Sequence, residues 1–240
     1  MDEPTPSTLT LLPRLSREDR DVAAILLTVA LSLTAIEYWG RRDGTGIVAA
    51  HTELGRLGVW AVVTIFMYVV PPFLVIRFVL RRPLRDFGLR VTGLGAHAQI
   101  YAMLFAIALP AVVLASFADS FQDKYPFYDL APGEGFFPDL WTWWLLYWAQ
   151  FVALEFFFRG FIVHGLAPRF GWAAVPIMVV PYNMIHYGKP MPEALAAIVG
   201  GLVLGTLSYR TRSIWWGAAL HISIAITMDV CALWHEGRLF

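Results

Sequence analysis

The sequence predicts an all-α protein, a polytopic bundle of about seven membrane helices, on three observations. Apolar residues make up 58% of the chain and charged residues only 15%, with a mean hydropathy of +0.60, whereas an ordinary soluble domain carries about 25% charged residues. The apolar residues are gathered into runs close to the roughly 20 residues that a helix needs to cross a bilayer. A formal net charge of zero leaves no basic footprint for nucleic acid, and a single cysteine, Cys231, excludes a disulfide framework or thiolate cluster.

The elements follow in order. Residues 1–21 form a polar N-terminal segment with Asp2, Glu3, Arg14, Arg17, Glu18, Asp19, Arg20 and Asp21. The first apolar run, 22–39, has no short small-residue cleavage site behind it and reads as a retained helix rather than a removed signal. The second run, 57–79, carries Pro71-Pro72 and the third, 98–117, carries Pro110; each proline removes a backbone donor and predicts a kink. Membrane helices tolerate this where neighbours satisfy the freed carbonyls. Residues 118–139 form a long external loop with Asp119, Asp123, Asp129, Glu134 and Asp139, punctuated by Pro126, Pro132 and Pro138. The fourth run, 140–165, opens with Trp141, Trp143, Trp144 and Trp148, which read as an interfacial aromatic belt. Two short runs at 171–187 and 193–209 and a seventh at 213–234 complete the bundle, with a tail at 235–240.

Loop charges predict the orientation. One side collects Arg14, Arg17 and Arg20, then Arg77, Arg81, Arg82, Arg85 and Arg90, then Arg169, Arg210 and Arg212. The other side has Arg41, Arg42, Arg56, Lys124, Lys189 and Arg238. The positive-inside rule puts the N-terminus in the cytoplasm and, with seven spans, the C-terminus outside an inner or plasma membrane.

An ionisable group at membrane depth costs about 2.5–3.5 kcal/mol on insertion scales, so each such residue is a functional candidate. Glu155 and Arg159 lie on the fourth helix, His186 at the end of the fifth, and His221 and Asp229 on the seventh. Glu37 and Arg77 sit at helix ends, where a side chain reaches the interface. Glu155 and Arg159 share a helix face four residues apart and can pair. A helical rise of 1.5 Å per residue places Glu155 ~18 Å, His186 ~22 Å and His221 ~13 Å from the cytoplasmic turns that flank their helices. The three groups thus return to a comparable level, which points to a site inside the bundle rather than to an ion pair that serves packing alone. Tyr182 and Asn183, about one turn before His186, are placed to orient it. Asp229 and His164 read as structural or interfacial.

A carboxylate and two imidazoles suit hydrolysis in either of two ways. Glu155, His186 and His221 are candidate ligands for a divalent metal such as zinc with an open position. Without a metal, Glu155 accepts a proton from water while the histidines stabilise the oxyanion. No H-E-x-x-H, G-x-S-x-G or G-x-x-x-x-G-K-[ST] pattern occurs, and Ser213 and Ser223 near His221 are weak evidence for a serine nucleophile.

These residues resemble the CAAX prenyl protease and bacteriocin-processing (CPBP, or Abi) intramembrane proteases. That family's pattern is Glu-Glu-x-x-x-Arg, Phe-x-x-x-His and His-x-x-x-Asn on successive membrane helices. Here "LEFFFRG" supplies Glu155, Arg159 and Gly160, "YNMIH" supplies His186 with Tyr182 in the Phe position, and "HISIA" supplies His221 with Ala225 in the Asn position. The pattern's first Glu, the expected base, falls on Leu154. The resemblance covers 140–234, the core helices; the three helices and loop in 22–139 match nothing specific. It implies an endopeptidase, of metalloprotease type if a metal is bound, that hydrolyses membrane-associated or lipidated peptide or protein substrates in contact with the bilayer. Glu155 and His186 would activate water, His221 would polarise the carbonyl and Arg159 would hold Glu155. Leu154 and Ala225 keep a catalytically silent peptide-binding or scaffolding relative open, and the buried charges keep a transporter or proton relay open.

Overall fold

The computed structural model describes residues 16–91, 94–131 and 133–238. Asp2, Glu3, Arg14, Pro132 and the last two residues of the expected tail lie outside the described residues.

Helix α1 (Arg17–Trp39) starts where the Ser16 hydroxyl accepts the Asp19 backbone N–H at 3.1 Å. Helix α2 (Glu53–Leu74) starts in the same way where Thr52 accepts from Gly55 at 3.1 Å. Each cap satisfies a backbone donor that the helix cannot, which stabilises by about 1 kcal/mol. Pro71 and Pro72 lie inside α2, and just beyond them the backbone widens into a π-type stretch, Val75–Leu80, that closes at Arg81 with φ 54°. The remaining helices are α3 (Ala98–Ala115), a short α4 (Asp119–Gln122), α5 (Trp141–Glu155), α6 (His164–Phe170), α7 (Ala174–Met184), α8 (Met191–Thr211) and α9 (Trp215–His235). A second π-type stretch, Phe156–Val163, joins α5 to α6.

The chain is an integral membrane protein of the polytopic helical kind. Among the described residues, 6 stretches are long and apolar enough to cross a bilayer: Arg17–Trp39, Glu53–Leu80, Gly95–Ala115, Phe136–Met184, Met191–Thr211 and Trp215–His235. The fourth and fifth expected helices both fall in Phe136–Met184. This stretch is not one rod, because Gly171, at φ 55°, stops α6 in a conformation that favours glycine. Helix α7 then runs back along the π stretch, so that the Tyr182 and Phe158 rings lie 5.2 Å apart; a straight helix would hold them ~36 Å apart. With 11 residues, α7 is ~16 Å long, about half of a ~30 Å bilayer core.

The reversal sorts the polar segments onto two faces. On one, Arg169 pairs with Asp19 at 3.2 Å, and the Ile214 N–H donates to the Gly88 carbonyl at 2.9 Å. On the other, Arg238 pairs with Asp129 at 2.6 Å and Ser116 meets His235 at 3.1 Å.

The main core surrounds the π stretch, where Phe157, Phe158 and Phe161 are wholly buried against Ile25, Ile76, Val175 and Met178. Helices α7 and α8 close on each other through Gly201 and Gly205, beside Tyr182 and Val175, as small residues allow in membranes. Outward faces are apolar instead, with Leu31 71% and Leu114 74% exposed. Three of the four tryptophans depart from the expected belt: Trp143 and Trp144 are buried and Trp148 is partly so, while Trp141 is exposed. The inward three pack with Tyr125, Phe127 and Tyr128 of the 118–139 loop, and the Trp144 indole donates to the Asp229 carboxylate at 2.9 Å. A buried indole N–H and a buried carboxylate each need a partner, and here each supplies the other's.

Candidate active site

Helix α5 ends at Glu155, and the π stretch carries Arg159 one turn later. Glu155 Oε1 lies 3.1 Å from Arg159 Nη1, and both side chains are buried. Helix α9 brings His221 Nδ1 to 2.8 Å from the same oxygen. Gly217, one turn before His221, makes room for this contact: a Cβ at that position would collide with the Glu155 carboxylate. The three groups are held by charge and packing. The Arg159 guanidinium also rests 4.0 Å above the Tyr182 ring, a cation–π contact.

Tyr182 on α7 joins the histidines. Its hydroxyl lies 3.1 Å from His221 Nε2, and its backbone carbonyl lies 2.9 Å from His186 Nδ1. A carbonyl only accepts, so His186 carries its proton on Nδ1 and keeps its lone pair on Nε2. A carboxylate likewise only accepts, so neutral His221 carries its proton on Nδ1 and takes the Tyr182 O–H at Nε2. A polar chain thus runs Arg159, Glu155, His221, Tyr182, His186. All four residues singled out in the sequence are in it. Tyr182, read there as support for His186, is the hub, while Asn183 leaves its side-chain oxygen unpartnered.

A cavity of about 740 Å³ opens beside this chain on the face that carries the α1–α2 loop. His186 lines it, with Gln150, Phe151 and Leu154 of α5 and Trp60 and Thr64 of α2. Glu155 does not; it faces α9. Adjacent helix residues point about 100° apart, and here Leu154 takes the cavity side and Glu155 the His221 side. This departs from the expectation that Glu155 and His186 together activate water in one space. His221 is partly exposed, and its ring stacks at 5.5 Å on Phe151. Gln150 and Thr64 were not singled out in the sequence, although an amide one turn before Leu154 in so apolar a run is a legible signal.

His164 and Asp229 take structural places: His164 is fully buried with Nε2 3.2 Å from the Ser208 hydroxyl, and Asp229 accepts from Trp144. Among the described residues, no three His, Cys, Asp or Glu side chains form a group able to hold a metal ion. Glu155 Oε1 and His221 Nδ1 face each other, and His186 Nδ1 faces a carbonyl. As placed, Glu155, His186 and His221 do not make a zinc ligand set, and no step below passes through a metal.

The fold and site define a helical membrane protein with a buried chain of acid, base and phenol beside a cavity. Residues 136–227, which hold that whole chain, match the family model described as type II CAAX prenyl endopeptidase Rce1-like. The match spans less than half of the chain and bears out the resemblance to CPBP-family intramembrane proteases. No curated protein and no solved structure matches the chain.

Proposed function

We propose that the protein is an intramembrane endopeptidase that hydrolyses a peptide bond held in the cavity. The observation that carries this reading is His186, a cavity-lining histidine with a free Nε2 lone pair, joined through Tyr182 to the partly exposed His221 and the buried Glu155. In this reading His186 takes a proton from water as the water oxygen attacks the carbonyl carbon. Tyr182 holds the His186 ring through its carbonyl, and His221, Glu155 and Arg159 hold Tyr182 in place. The proton then passes from His186 to the leaving nitrogen as the C–N bond breaks, giving a carboxylate and an amine.

Purified protein in detergent, offered a library of membrane-associated peptides, is expected to cleave a subset. His186→Ala should lower that rate by about 10²–10⁴-fold, the usual contribution of a general base. Chelator is expected to leave the rate unchanged; a chelator-sensitive rate would require a metal-loaded arrangement of Glu155, His186 and His221. A second reading, a silent peptide-binding relative, is favoured by Leu154 in the cavity wall, and cleavage lost with His186→Ala would rule it out.

The arginine-rich face, with Arg81, Arg82, Arg85 and Arg90, lies in the cytoplasm on the positive-inside rule, so the cavity opens outward. An impermeant thiol reagent added to whole cells should then label Asp43→Cys in a Cys231→Ala background and leave Arg85→Cys unlabelled. The reverse pattern would invert the orientation.

A further inference from the structure

We infer that the groove between α3 and α8 seats an anionic phospholipid of the cytoplasmic leaflet, with its phosphate on Arg90 and Arg212 and an acyl chain along the groove. This goes beyond the endopeptidase reading and does not depend on it.

Positive charge gathers at one point of the arginine-rich face. Leu89 and Ser213 form an isolated antiparallel bridge, flanked by the bond from the Ile214 N–H to the Gly88 carbonyl at 2.9 Å. That register sets Arg90 opposite Arg212, with Cα atoms about 5 Å apart, and like charges directly opposite each other work against the pairing. Arg212 also ends α8 at φ 57°, a left-handed turn that glycine adopts without strain. Membrane orientation asks only for positive loops; it does not ask for two arginines set against each other. Among the described residues, Asp86 is within ion-pair distance of Arg90, at 3.7 Å, and no carboxylate is within that distance of Arg210 or Arg212. Burial, and then the charge of Arg212, hold the nearby Arg82 guanidinium below its ordinary value against the pull of Asp86. A phosphate between Arg90 and Arg212 replaces their repulsion with two charge-assisted contacts.

An apolar groove begins just below this point. Helix α3 packs chiefly on α9 and leaves a space of about 360 Å³ against α8, lined by Ile100, Leu104, Leu202, Val203, Thr206 and Leu207. These residues lie near the start of α3 and the end of α8, which puts the groove at the same end of the bundle as the arginines. The Trp172 indole, on an exposed ring, donates to the Thr206 hydroxyl at 3.1 Å. An exposed tryptophan at that level marks the headgroup region. Arg210 shares the helix stripe of Val203, Thr206 and Leu207 and so stands at the mouth of the groove. Arg212 lies ~7.5 Å beyond Leu207 at the helical rise, so a phosphate held there leaves its acyl chain in the groove. A soluble phosphate would leave the apolar walls empty, and a choline headgroup would bring a further positive charge to a face already in excess. Basic pockets between membrane helices on the cytoplasmic side suit anionic headgroups for this reason.

The test is lipid retention by the full chain, read by native mass spectrometry during titration in detergent with dioleoyl phosphatidylglycerol or dioleoyl phosphatidylcholine. Phosphatidylglycerol is expected to be held at least about tenfold more tightly, in line with two arginines on one phosphate. Arg90→Gln with Arg212→Gly should bring the ratio near one. Glycine suits the left-handed turn, so this variant should unfold without added lipid at or above the wild-type midpoint, which separates a lost ligand from a lost fold. Arg17→Gln with Arg20→Gln removes the same charge from the same face away from the groove and should leave the ratio in place. Val203→Phe, which fills the groove, should weaken both lipids alike. Equal retention of the two lipids would overturn the assignment, as would a ratio that falls as far with the Arg17 and Arg20 pair as with the Arg90 and Arg212 pair. So would displacement of phosphatidylglycerol by inorganic phosphate together with no effect of Val203→Phe, since the arginines would then serve a soluble anion.

Discussion

Leu154→Glu is expected to raise peptide-bond hydrolysis by about 10²-fold or more over the wild-type chain. Leu154 lines the same cavity as His186, at the position where the resembling family carries the glutamate that serves as base. A well-placed general base contributes about 10²–10⁴ in rate. In the proposed reaction, a leucine there leaves His186 to take the proton alone. Burial of the new carboxylate is eased by its surroundings, since Gln150 stands one turn before it and the cavity opens to the loop face. Leu154→Gln is the control, because it has nearly the shape of the glutamate and no basic oxygen. The comparison is made with the same peptide library in detergent. A folded Leu154→Glu protein no faster than Leu154→Gln would show that position 154 does not reach the reacting atoms.

Glu155→Ala is expected to lose the folded state, not only the chemistry. Arg159 is 0% exposed, and Glu155 is the carboxylate at ion-pair distance from it. Breaking a buried ion pair by removing one partner costs about 3–5 kcal/mol, a large share of the 5–15 kcal/mol by which most domains are stable. Removing both charges at similar volume, as in Glu155→Leu with Arg159→Met, is expected to recover most of that loss, because no uncompensated charge is left inside. Thermal unfolding in detergent, followed by tryptophan fluorescence, reads this directly: a low midpoint for Glu155→Ala and one near wild type for the double variant. A single variant as stable as wild type would mean that water reaches Arg159. Inactivity of Glu155→Ala therefore says little about catalysis. Glu155→Gln, which keeps the shape and an acceptor for His221, is the informative substitution.

The helical bundle and the four polar residues were legible in the sequence because both depend on local quantities. A run of about 20 apolar residues has few other fates than a membrane helix, and a charged residue inside such a run is too costly to be incidental. Rise per residue alone then brought Glu155, His186 and His221 to a common level. The fifth run reads as short, at 171–187, but its helix is shorter still, Ala174–Met184, because a tight turn, Gly171–Ala173, precedes it and the helix ends before His186. The inward tryptophans were missed because an aromatic run beside an acidic loop reads the same whether the rings meet headgroups or meet Tyr125, Phe127 and Tyr128.

Composition, periodicity and spacing by themselves determined that this is a membrane protein with a carboxylate, a guanidinium and two imidazoles at one depth. Which side chains share a space was decided by tertiary structure alone. The segment that carries Leu154, Glu155 and Arg159 is apolar all round, so no hydrophobic stripe sets its rotation. Packing sets it instead, through the gap at Gly217 that admits the Glu155 carboxylate and the π-type turns that follow. Those contacts turn Glu155 toward His221, leave Leu154 facing the cavity, and make Tyr182 the link between two histidines that lie far apart in the chain.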